Sequence, residues 1–227
     1  MTDVNPSSTT RYGPHPEQVA DLWLPNGPGP HAGVVLVHGG CWRKQYGRDL
    51  ENRVAADLAA RGVAVWNVEY RRLDCGGDWP APLEDVVAAA TALPAEIDAG
   101  RVAIAGHSAG GHLALVAASR LRVRGVLAQA PVSDLRLAAE LGACAGAVER
   151  LLEQGAPSPI DDPPRAEVLL VHGDADEHVS VELSRRYAAG GHAVYVELVG
   201  CGHMEHLDPE SEAGQLAGNW LVRLLAA

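Results

Sequence analysis

The sequence predicts an α/β fold: one mostly parallel central sheet with helices on both faces and a short lid insertion. Two patterns carry that expectation. Short apolar runs rich in β-branched residues alternate with longer Ala-, Leu- and Arg-rich stretches of helical spacing. The apolar runs are unbroken, as strands covered on both faces should be, without the in–out alternation of a half-solvated sheet. A length of 227 residues suits a single domain, taken as residues 1–227 with the insertion at about 131–165.

In chain order the expected strands are Val19–Leu24, Gly33–Val37, Val63–Glu69, Arg101–Ala105, Gly125–Ala130, Glu167–Val171 and His192–Val199. The expected helices between them are Asp49–Ala60, Leu83–Leu93, Ala109–Arg120, Leu135–Gln154 and Val181–Ala189. A last helix, Pro209–Ala226, has Asp208 as its N-cap and Pro209 at the first helical position, where a missing N–H costs nothing. Pro25–His31 is turn chemistry, Leu73–Pro82 carries Gly76-Gly77, and Gly155–Arg165 is too proline-rich for regular structure. The segment Leu135–Leu152, interrupted by Gly142 and Gly146, reads either as a mobile lid or as packed helix.

Composition narrows the function classes. With 18 Lys+Arg against 29 Asp+Glu, the net charge of −11 argues against a nucleic-acid partner, which needs clustered cations. Arg120, Arg122 and Arg124 read as a solvated strand entry. No apolar stretch approaches the ~20 residues of a membrane helix, and Met1–Thr10 lacks the charged-then-apolar pattern of a secretory leader. Cys41, Cys75, Cys144 and Cys201 form no CxxC pair and no metal-finger spacing. The expectation is a cytoplasmic protein with free thiols, no metal, no organic cofactor and no membrane partner. There is no Phe, so Val, Leu, Ile and Ala must build the core. Of the few aromatics, Trp42, Tyr46, Tyr70 and Trp79 fall at the carboxyl edge of the expected sheet and read as pocket walls.

Functional groups of an open α/β sheet gather on loops at the carboxyl ends of strands. After Arg101–Ala105 comes Gly106-His107-Ser108-Ala109-Gly110, a G-x-S-x-G between strand and helix. That context gives Ser108 the sharp turn of a nucleophile. After Gly33–Val37 comes His38-Gly39-Gly40-Cys41-Trp42, whose glycines let the backbone turn N–H groups outward. Gly40 and Cys41, with Ala109 after the nucleophile, are the expected oxyanion donors, and His38 is expected to order the loop beneath them. A serine nucleophile also needs an acid and a base, in the order Ser…Asp…His for this sheet type. Asp174, Asp176 and Glu177 compete for the first role after Glu167–Val171, and His203 and His206 for the second after the last strand. Glu69, Tyr70 and Arg71 read either as a buried polar cluster or as a solvated strand end. His203-Met204-Glu205-His206 lacks the spacing of a metal pair.

Taken together these loops resemble the α/β-hydrolase family. His172-Gly173-x-x-Asp176-x-x-Val179 matches its acid loop and Gly202-His203 its histidine loop, so the resemblance implies a Ser108–His203–Asp176 triad. The HGGxW form of the oxyanion loop, Glu69-Tyr70-Arg71 ending a strand, and GHSAGGH over Gly106–His112 resemble the kynurenine-formamidase/small-esterase branch, across roughly Val34 to Leu207. The chain departs from capped relatives in its short insertion between Ala130 and Glu167.

The expected activity is hydrolysis of a small carboxylic ester through an acyl-enzyme, with a small-molecule ester or amide as the substrate. The closest alternative is arylformamidase, with Trp42 and Trp79 stacking on an aromatic leaving group. A non-catalytic ligand receptor on the same fold, and an acyl transferase or cyclase using the same triad, are the other readings. Cys41 and Cys201 read as small residues that fit tight turns; the sharper alternative is that modifying their thiols blocks the pocket.

Overall fold

The computed structural model describes residues 5–226; residues 1–4, the start of the stretch read for a leader, and residue 227 lie outside the described residues. Eight strands form one sheet: β1 (Ser8–Arg11), β2 (Val19–Trp23), β3 (His31–Val37), β4 (Ala64–Val68), β5 (Ile97–His107), β6 (Gly125–Gln129), β7 (Glu167–Gly173) and β8 (Val194–Leu198). Their order is β1-β2-β4-β3-β5-β6-β7-β8. The β1–β2 and β2–β4 pairs are antiparallel and the rest parallel. β1 has no counterpart among the expected strands: its sequence STTR is exposed throughout and carries no apolar signal.

The helices are α1 (Asn52–Ala60), α2 (Ala81–Thr91), α3 (Ala109–Ala118), α4 (Leu135–Glu140), α5 (Ala147–Glu153), α6 (Glu182–Ala189) and α7 (Glu212–Ala226). Side chains alternate across a strand, so β3 sends Val34 and Leu36 to one core and Val35 and Val37 to the other. The first core holds Ala55 and Leu58 of α1 and Ala213, Ala217 and Leu221 of α7. The second holds Leu83 and Val86 of α2, Leu113 of α3 and Leu183 of α6. This double burial is why the strands read as continuous apolar runs. All ten residues of α3 are buried, as in a helix that is apolar all round.

Two expected elements change. Leu135–Gln154 is not one helix: Gly142 and Gly146 take positive φ of 73° and 81°, and the chain turns between α4 and α5. The last helix starts at Glu212 instead of Pro209. Ser211 Oγ, not Asp208, accepts from the third helical N–H, Gly214, at 2.9 Å, while Asp208 Oδ1 closes the preceding turn on the Glu210 N–H. No helix among the described residues is long and apolar enough to cross a membrane.

Candidate active site

The turn from β5 to α3 lifts Ser108 out of both elements. Its φ of 56° and ψ of −118° lie where L-residues are strained. Two glycines make the turn fit. A Cβ on Gly106 would sit 2.3 Å from the Gly110 carbonyl oxygen, and one on Gly110 would sit 2.0 Å from that of Val37. The strand end, the helix start and the end of β3 therefore meet backbone to backbone, which explains the glycines of G-x-S-x-G.

The loop after β3 runs alongside. Gly40, Cys41 and Trp42 have φ of 98°, 52° and 53°. The N–H groups of Gly40, Cys41 and Ala109 donate to no protein acceptor among the described residues. Ala109, as the first residue of α3, has no partner within its helix. Gly40 and Cys41 share a cavity of about 220 Å³ with Ser108 and His203, completed by Tyr46, Leu50, Cys144, His178, Val179, Met204 and Leu207 among others.

Of the competing acids, Asp174 and Glu177 are exposed, and Asp174 Oδ1 accepts from the Gly200 N–H at 2.6 Å to tie two loops together. Asp176 has a fully buried side chain. Its Oδ2 lies 2.6 Å from His203 Nδ1 and 3.2 Å from His172 Nε2, and its Oδ1 accepts from the His178 and Val179 N–H groups at 2.8 Å each. Burial alone would raise this carboxyl, but the hydrogen bonds from His172 and His203 hold it far below the usual carboxylate range.

His203 is fixed from three sides. His107 Nε2 donates to its carbonyl at 3.0 Å, the His107 ring packs at 4.4 Å, and His178 stacks on it at 5.2 Å. Burial, then the neighbouring His203 and His206, push His107 well below the usual histidine range, so it stays a neutral donor. His206 is buried with neither ring nitrogen partnered, and burial pushes it down to about 3. Ser108 Oγ and His203 line the cavity without a hydrogen bond between them; such bonds are often long until substrate binds.

Two expectations are corrected and one open alternative is decided. Cys41 is not a free thiol: it forms a disulfide with Cys144, leaving Cys75 and Cys201 free. Disulfides persist in oxidising compartments, so the cysteine pattern gives no support to a cytoplasmic location. Trp42 and Trp79 do not wall the cavity. The positive-φ turn drives Trp42 inward, where it is fully buried edge-on to His112 at 5.3 Å. Trp79, half-buried, packs against the same His112 ring at 6.0 Å. Burying the Trp42 indole removes a large apolar surface from water. Of the four aromatics expected there, Tyr46 alone lines the cavity. The Leu135–Leu152 segment is packed, and tethered at Cys144 and by Arg43 Nη2 donating to the Ala145 carbonyl at 2.7 Å.

Sequence reasoning missed the wall residues Leu50, His178, Met204 and Leu207, to which no motif gives a wall role, and it placed Val179 only as the last position of the acid-loop motif. It also missed His172 as a partner of Asp176, although that histidine opens the acid-loop motif.

Fold and site together define an α/β-hydrolase architecture. The chain belongs to the BD-FAE family, an α/β-hydrolase-type esterase family whose model matches residues 20–135. It is similar to esterase LipC of Mycobacterium tuberculosis, with 32% identity over 115 residues, 47% of this chain and 28% of that protein. The chain thus matches well under half the length of that curated relative. Among solved structures it resembles a truncated carbohydrate esterase from gut microbiota, with a TM-score of 0.81, 18% identity and coverage of 100% of this chain and 99% of the other. It also resembles esterase LipW of Mycobacterium marinum, with a TM-score of 0.77, 23% identity and coverage of 97% and 82%. At these identities the solved structures speak for the fold alone.

Proposed function

We propose that this chain is a serine esterase that hydrolyses small carboxylic esters through an acyl-enzyme. One observation carries the reading: the 2.6 Å hydrogen bond from His203 Nδ1 to Asp176, on the wall of the cavity that Ser108 enters. With Nδ1–H given to the carboxylate, Nε2 keeps the lone pair that a general base needs. His203 takes the Ser108 proton as Oγ attacks the ester carbonyl carbon. The oxyanion is received by the N–H groups of Gly40, Cys41 and Ala109, each worth ~3 kcal/mol in the transition state. The imidazolium then protonates the leaving alcohol. Water, deprotonated by the same nitrogen, attacks the acyl-Ser108 carbonyl and releases the acid.

The cavity suggests the substrate class. Its Leu50, Val179, Met204 and Leu207 walls suit a short acyl chain. An open shelf lined by Arg53, Glu205 and Asp208 adjoins it through His178 and His203 and suits a polar leaving alcohol. Family membership and the esterase names of the similar proteins point the same way. The formamidase alternative drew on the HGGxW loop together with Trp42 and Trp79, and with Trp42 buried and Trp79 half-buried against His112 it loses the support of the two indoles.

The test is turnover of p-nitrophenyl acetate, butyrate and octanoate by the wild type and Ser108→Ala. The expected result is a preference for the shorter esters and a kcat loss of ~10⁶-fold in the variant. Wild-type rates in Ser108→Ala would defeat the reading.

A further inference from the structure

We propose that His38 is a buried imidazolium, completed by Glu69, that aims the Gly40 N–H into the cavity. The proposal rests on the esterase reading for its catalytic consequence, but its structural core is the bonding of one side chain.

His38 is fully buried at the end of β3. Its Nδ1 lies 2.7 Å from the Gly39 carbonyl oxygen and its Nε2 lies 2.8 Å from Glu69 Oε1. A carbonyl only accepts, and a carboxylate only accepts. Glu69 is held as a carboxylate by donors other than His38: the Tyr70 and Arg48 N–H groups at 3.1 Å each, and Arg72 Nη1. A neutral imidazole has one N–H and would turn a lone pair onto one of these oxygens. Both nitrogens therefore donate, and the ring is charged.

The surroundings suit that charge. Arg72 also pairs with Glu17 at 2.8 Å and Arg48 with Asp21 at 2.7 Å, so His38 and two arginines face three carboxylates. The Tyr70 ring stacks on His38 at 4.4 Å, a favourable placement for a cation, and its hydroxyl donates to the His38 carbonyl at 2.9 Å.

The consequence lies in one peptide plane. In a trans peptide the C=O and N–H point in opposite directions. Nδ1–H draws the Gly39 carbonyl inward, so the N–H of the same unit, that of Gly40, is turned toward the cavity. His38 is thus a positioning residue for an oxyanion donor and touches no substrate itself.

The first test uses the resting wild-type protein labelled with ¹⁵N-histidine, with His38 assigned by its loss in His38→Gln. At neutral pH both His38 ring nitrogens should be protonated, and Glu69→Gln should leave only one protonated. A neutral His38 in the wild type would overturn the proposal. The second test is kinetic. Losing an oxyanion donor costs about 10²–10³ in kcat, so misaiming one in His38→Leu should cost ~10–100-fold toward p-nitrophenyl acetate. KM should stay within about threefold; a kcat within threefold of wild type would also overturn it. Ester turnover by the wild type judges the esterase reading separately, and the charge on His38 is read without substrate.

Discussion

One carboxylate oxygen, Asp176 Oδ2, takes two imidazoles, His203 at 2.6 Å and His172 at 3.2 Å. His172 Nε2 also lies 2.9 Å from the Val179 carbonyl, which requires it to donate, and its Nδ1 meets Ser184 Oγ at 2.7 Å. The acid is thus locked from behind while its front faces His203. Held so far below its usual range, Asp176 remains ionised through any neutral assay. In Asp176→Asn the amide offers an N–H to His203 Nδ1, which moves the imidazole proton to Nε2 and leaves Ser108 facing a donor. We expect kcat/KM toward short esters to fall by ~10⁴ with the circular dichroism spectrum unchanged; a loss under tenfold would contradict this arrangement. The choice of Asp176 and His203 among their neighbours came from the resemblance of their loops to the α/β-hydrolase family, whereas the proposed nucleophile Ser108 was legible from its strand–turn–helix motif. Tyr46, His178 and Met204 were not, since their shared wall arises from loops distant in sequence.

At the scale of elements, the insertion after β6 is held by a covalent tie. The Cys41–Cys144 disulfide joins the oxyanion loop to the turn between α4 and α5 across a sequence separation of 103. Closing so long a loop restricts the unfolded chain, worth ~2–4 kcal/mol. Reduction, or Cys144→Ser, is expected to lower stability in urea by about that amount. It is also expected to lower kcat, because Cys41 carries one of the N–H groups proposed to receive the oxyanion. Unchanged unfolding and unchanged turnover on reduction would show that the tie does neither. The strands and most helices could be read from apolar runs and spacing. The break between α4 and α5 could not, since a glycine in a helical pattern can be tolerated within the helix or can end it. Nor could the pairing of Cys41 with Cys144, which depends on two loops meeting in space.

Over the whole molecule, buried titratable groups set the pH range of stability. Burial holds His112 at about 4 and His206 at about 3, against 6.5 for a free histidine. Between those values the unfolded chain binds more protons, so the stability these residues contribute is lost as pH falls from about 6.5. Glu51 acts in the opposite sense. Its fully buried carboxyl is pushed up to about 8, from 4.5. Across that window the folded chain holds the proton, so stability falls as pH rises. Glu51→Gln is therefore expected to raise Tm at pH ~8.5 and to change it little at pH ~4.5, a difference that thermal melts at the two values would show or deny. The parallel sheet that carries the site was the most legible feature, because double burial writes itself into unbroken apolar strands, whereas β1, polar and exposed, left no trace. An activated nucleophile at Ser108 would react with a fluorophosphonate, and mass spectrometry of the treated protein reads that reaction at the residue itself. One adduct is expected, on Ser108, lost in Ser108→Ala and slowed in Asp176→Asn; an unlabelled Ser108 in protein that still turns over esters would show that the nucleophile lies elsewhere.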